Sequence, residues 1–134
     1  MSHSNRSMLV GSILLAAAGS CGRFHSGAQP GTGPTIVVFQ NESLDQADVF
    51  AVRRSAGALR LGTVMAGRTD TLQIGTGTIP AGENVDFVAR LLASRNTPHS
   101  GPVALLPGQW LTVTLPTTAN ILSVLPGQPP AAAR

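Results

Sequence analysis

Glycine and proline interrupt this chain too closely for long helices. The 134 residues include 15 Gly and 10 Pro, and from residue 35 onward turn signals recur about every ten residues. Gly weakens a helix interior and Pro breaks it, so a helical bundle is excluded and a turn-rich β domain is expected. The runs between the turns have the period of two that belongs to strands. Thr35 to Gln40 is an apolar, β-branched run. Ala47 to Arg53 sets Asp48, Phe50 and Val52 against Val49, Ala51 and Arg53. Leu59 to Met65 follows a hairpin turn at Gly57, and Thr69 to Ile74 follows a turn at Met65-Ala-Gly67-Arg68. After a longer loop from Gly75 to Asn84, Val85, Phe87, Ala89 and Leu91 face one way. Ser100 to Leu106 is shorter. Trp110 to Leu115 alternates Leu111, Val113 and Leu115 against Trp110, Thr112 and Thr114, and Ile121 to Leu125 is a last edge strand.

These seven or eight short strands predict an all-β fold, a small antiparallel β-sandwich of immunoglobulin-like type, with a small barrel as the alternative. The Cys–Trp–Cys core of antibody domains is absent, because the chain has one Cys. For the same reason neither an internal disulfide nor a Cys-based zinc knuckle can form. At 43% hydrophobic and 11% charged residues, the composition excludes wholesale disorder. Nine basic residues, all Arg, against six acidic ones give a formal charge of only +3. Phe24, Phe39, Phe50, Phe87 and Trp110 sit mostly in apolar runs and are not interleaved with cations, so nucleic acid is not an expected partner.

The first twenty residues read as an export signal. Arg6 supplies a positive start, an uncharged stretch of 16 residues runs from Ser7 to Gly22, and small residues close it. A permanent spanning helix needs about 20 mostly apolar residues, so this helical segment is read as a signal peptide. Ala18-Gly19-Ser20-Cys21 follows directly and resembles the lipobox of bacterial lipoproteins, although Ala18 stands where Leu is usual. The resemblance implies cleavage before Cys21, lipidation of its thiol, and anchoring of the mature chain to a membrane. Gly22, where that family often has Asp for inner-membrane retention, implies the outer membrane or cell surface. The alternative is ordinary secretion after Ala16-Ala17-Ala18, which would release a soluble protein with an unpaired thiol.

The chain therefore divides into residues 1–20 as signal peptide, 21–34 as lipidated Cys and Gly/Pro-rich tether, 35–125 as the β domain, and 126–134 as a disordered tail. The run Ile36-Val-Val-Phe-Gln-Asn41-Glu-Ser43, continuing into Asp48-Val-Phe-Ala-Val52 and Leu61-Gly62-Thr-Val64, resembles small uncharacterised β domains of bacterial lipoproteins.

Candidate chemistry is sparse. His99 and Ser100 are neighbours, but adjacent strand residues point to opposite faces, and there is no G-x-S-x-G elbow. Asn41, Glu42, Asp45 and Asp48 gather oxygen ligands within eight residues and form a candidate calcium set, although the EF-hand pattern is absent; the plainer reading is a solvated polar turn. Arg53, Arg54, Arg60 and Arg68 fall in one hairpin region and form a candidate binding set for phosphates, polyanionic glycans or an acidic partner. Gly75-Thr-Gly77 lacks the Lys and helix of a phosphate loop, and no cofactor is expected. The sequence thus leads to a non-catalytic, lipid-anchored cell-envelope protein whose β domain binds a protein or surface component. The alternative is a secreted or periplasmic small-ligand-binding protein or an enzyme.

Overall fold

The computed structural model describes residues 32–131. The signal segment, Cys21 and the first part of the tether lie outside them. The described chain is all-β. Eight strands follow one another as β1 (Thr35–Asn41), β2 (Ala47–Arg53), β3 (Gly57–Val64), β4 (Thr69–Ile74), β5 (Asn84–Leu91), β6 (His99–Ala104), β7 (Trp110–Leu115) and β8 (Ser123–Pro126). They form two four-stranded sheets, ordered β4-β1-β7-β8 and β3-β2-β5-β6.

Alternation along each strand places one face inward. Val37 and Phe39 of β1, Leu72 and Ile74 of β4, and Leu111, Val113 and Leu115 of β7 share one buried cluster with Ala47, Val49 and Ala51 of β2 and Val85, Phe87, Ala89 and Leu91 of β5. Burial of this apolar surface, worth about 25 cal/mol per Å² removed from water, holds the sheets face to face. Asp70 lies on the inward register of the edge strand β4 but is exposed near its start, a placement that discourages edge-to-edge pairing.

One expectation of pairing is corrected. The sheets are not wholly antiparallel, because β1 and β7 run parallel, with Val37 opposite Leu111 and Phe39 opposite Val113. The turn at Pro107-Gly108 does not close a hairpin. It carries the chain from β6 across to the other sheet, and β7 then enters beside the start of β1 and runs with it.

The connections sort to two ends. At the root end lie residues 32–34, the β2–β3 turn, the loop from Gly75 to Glu83, and the β6–β7 crossing. Thr35 Oγ1 donates to Leu106 O at 3.1 Å there, and Leu105 N to Glu83 O at 3.2 Å. The described chain also leaves at this end, where Gly127 N donates to Trp110 O at 2.8 Å. The β1–β2, β3–β4, β5–β6 and β7–β8 connections lie together at the opposite, distal end. Leu92 N donates to Gln46 O at 3.0 Å there, and Thr117 Oγ1 to Glu42 O at 3.3 Å.

Candidate functional site

Ionic chemistry concentrates on the outer face of the β3-β2-β5-β6 sheet. Asp48 of β2 lies opposite Thr63 of β3 and Arg90 of β5, so cross-strand register alone brings the three together. Thr63 Oγ1 donates to Asp48 Oδ1 at 2.5 Å, Arg60 Nη2 to the same oxygen at 3.1 Å, and Arg90 Nη2 to Oδ2 at 3.0 Å. Hydrogen bonds from Thr63, Arg90 and Arg60, in that order of effect, hold the Asp48 carboxyl down to about 2 from 3.8. The Arg90 guanidinium also lies 5.6 Å from the Phe50 ring centroid, within cation–π range.

A second acidic centre sits nearer the root end. Asp86 Oδ1 accepts from Gly101 N at 2.9 Å, Ser100 N at 3.1 Å and Ser100 Oγ at 3.3 Å. Its Oδ2 is 3.4 Å from His99 Nδ1. An irregularity in β5–β6 pairing between Asp86 and Val88, with Gly101 at φ 77°, turns both His99 and Ser100 toward one carboxylate. The simple alternation expected for these neighbours does not hold there. The order of groups is nevertheless unlike a catalytic relay, in which the imidazole stands between acid and hydroxyl. Here the acid stands between them, and Ser100 Oγ accepts from Phe87 N at 3.0 Å while its one hydrogen is shared between Asp86 Oδ1 and the nearer Gly101 O at 2.8 Å.

Beside Asp86 opens a groove of about 570 Å³, lined by Val52, Arg54, Ser55, Glu83, Asn84 and Pro102, among others. Ser55 Oγ donates to Glu83 Oε1 across it at 3.0 Å.

The Arg candidates do not converge. Arg53 turns toward the root-end loop and donates from Nη1 to Thr78 O at 3.0 Å. Arg54 borders the groove, Arg60 is engaged with Asp48, and Arg68 is exposed in the β3–β4 turn at the distal end. The hairpin that makes them neighbours in sequence spreads them along the length of the sheet.

The calcium candidates are also divided. Asn41 is 2% exposed and acts as a connector. Its Nδ2 donates to Asp45 O at 2.8 Å, Val64 O at 3.1 Å and Met65 O at 3.1 Å, and its Oδ1 accepts from Ser43 N and Ser43 Oγ. Asp48 spends both carboxylate oxygens on Arg60, Arg90 and Thr63, while Glu42 is exposed and Asp45 half-buried. No group of three or more His, Cys, Asp or Glu residues is placed to hold a metal ion among the described residues.

Sequence reasoning passed over two features. One is Asp86, whose signal was Gly101 inside a strand pattern, a mark of a bulge. The other is the distal end, where Leu44, Met65, Leu92 and Ile121 are all exposed, Leu44 at 90% and Leu92 at 76%.

No protein-family model matches the chain, and no curated protein does. Among solved structures, the chain is similar to one described as "NMR structure of the protein from Eubacterium rectale", at 14% identity and a TM-score of 0.43, over 78% of this chain and 99% of that one.

Proposed function

We propose that this chain is a lipid-anchored, non-catalytic protein of the cell envelope, placed at the outer membrane or cell surface, whose β domain binds a protein partner. Cys21 carries the lipid, and the residues that follow tether the domain at its root end. The observation that carries the binding role is the distal end: of six exposed large apolar side chains among the described residues, four, Leu44, Met65, Leu92 and Ile121, lie on the connections opposite the end where the chain enters, and Leu106 and Leu125 lie elsewhere. Apolar side chains concentrated at one end are what a contact site needs. Strand order supports an immunoglobulin-like reading in part: β3-β2-β5-β6 matches a C′-C-F-G sheet and β4-β1 matches E-B. It departs where β7, parallel to β1, and β8 follow the other strands in the chain and do not precede β1.

Two measurements test this reading. Replacing Cys21→Ser is expected to move the protein from the membrane to the soluble fraction or to stall leader cleavage. A variant that stays membrane-bound with its leader processed normally refutes the anchor. A photo-crosslinker at position 92 is expected to capture a protein that one at Gln73, on the β4-β1-β7-β8 face, does not; equal capture from both positions refutes the distal contact.

A second reading is favoured by the groove beside Asp86. Its volume lies within the roughly 300–1,000 Å³ of small-ligand sites, and Arg54 and Glu83 present both signs of charge to it. That arrangement suits a secreted or periplasmic carrier of a small zwitterionic molecule.

A further inference from the structure

The two outer faces of the sandwich differ in chemistry. The β3-β2-β5-β6 face carries Asp48, Arg60, Asp86 and Arg90. The β4-β1-β7-β8 face has three outward positions on each of β4, β1 and β7 and two on β8, and none of them is ionisable. Register places Thr71, Val38 and Thr112 side by side across its middle, and Ile36 lies between Gln73 and Trp110 toward the root end. Trp110 is half-buried. Thr114 Oγ1 donates to Gln40 Oε1 at 3.2 Å, which leaves the Gln40 amide hydrogens for another acceptor.

We propose that this face binds a neutral polysaccharide strand. A sugar ring offers an apolar C–H side and a rim of hydroxyls that both donate and accept. Trp110 and Val38 meet the first need, because an indole is a large flat apolar surface with a polar N–H. Thr and Gln side chains meet the second, since both donate and accept hydrogen bonds. The absence of charge is the selective feature. A charged occupant pressed against this face would lose hydration without meeting an opposite charge, whereas a neutral sugar needs only the hydrogen-bonding groups that the face offers. Anionic lipid and nucleic acid require cations that it lacks. Five Thr or Ser residues stand here around one Trp, and Thr and Ser are rare among the hot spots of protein contacts.

The chain has one Trp and no Tyr, so its intrinsic emission reports this face directly. The test titrates the full-length, detergent-extracted protein with β-1,4-linked hexasaccharides of glucose and of N-acetylglucosamine. A saturable change in Trp110 emission with either sugar is expected, weakened at least about tenfold by Thr112→Glu and by Thr71→Glu. Thr71 is exposed on an edge strand, so Thr71→Glu decides the matter even where Thr112→Glu fails to fold. Emission indifferent to both sugars overturns the proposal, as does a change that folded Thr71→Glu leaves intact. Emission that moves with protein concentration alone also overturns it and assigns the face to a second copy of the chain. The readout does not depend on the lipid or the distal end, so its failure leaves the anchoring and protein-contact proposals standing, and theirs leaves this one standing.

Discussion

Replacing Asn41 separates a structural connector from a cation site. Its amide joins three backbone carbonyls from two connections, and its carbonyl oxygen holds the Ser43 turn. Two amide hydrogens serve three acceptors, so one is shared. Truncation to Ala gives up five hydrogen bonds, which at about 0.6 kcal/mol each come to a total of about 3 kcal/mol. In a domain of this size that lowers the melting midpoint by roughly 12–24 °C. Asn41→Asp sharpens the contrast. A carboxylate of the same shape turns an oxygen toward the three carbonyls and places an unpaired charge where the side chain is buried. The variant is therefore expected to be less stable than wild type, and more so at pH 8 than at pH 4, where protonation of the new acid relieves part of the penalty. A calcium site behaves in the opposite way, since the added charge beside Glu42 and Asp45 would strengthen it. Thermal melts of wild type, Asn41→Ala and Asn41→Asp, each with and without millimolar calcium, make the comparison. A loss below about 1 kcal/mol for Asn41→Ala, or recovery of Asn41→Asp by calcium, refutes the connector account.

Two further predictions concern the charged face. Asp48 ionises near 2 in the folded chain against 3.8 as its ordinary value, so its contribution is present above pH 4 and is lost as pH falls toward 2. Because Arg60 and Arg90 are 58% and 66% exposed, the contribution is held below about 1 kcal/mol at physiological salt; urea titrations from pH 6 to pH 2 should show Asp48→Asn flattening that acid limb. Gly101→Ala forces an L-residue into the left-handed region at φ 77° and is expected to cost about 1–2 kcal/mol in a denaturant titration. A neutral outcome there would mean that the bulge holding Asp86 relaxes freely.

The strands were legible because their inward faces alternate without interruption. Val85 to Leu91 and Trp110 to Leu115 need no tertiary knowledge to be read as half-buried strands. Pairing was not legible. Pro107-Gly108 looks the same in sequence whether it closes a hairpin or carries the chain to the other sheet, and only the latter makes β1 and β7 parallel. The polar centres were hidden for the same reason. Asp48 and Arg90 are 42 residues apart, and Asp86 and Ser100 meet across a register irregularity. Asn41 looked like one oxygen ligand among several, because burial at the end of a strand depends on what covers it. Its relation to Ser43 two residues later, an Asx-type turn, was the available sign of a structural role.

The anchored reading is tested most directly by the intact mass of the protein extracted from membranes. The expected mass is that of a chain beginning at Cys21 with added acyl groups. An unmodified chain beginning at Gly19, or one retaining its leader, would contradict it.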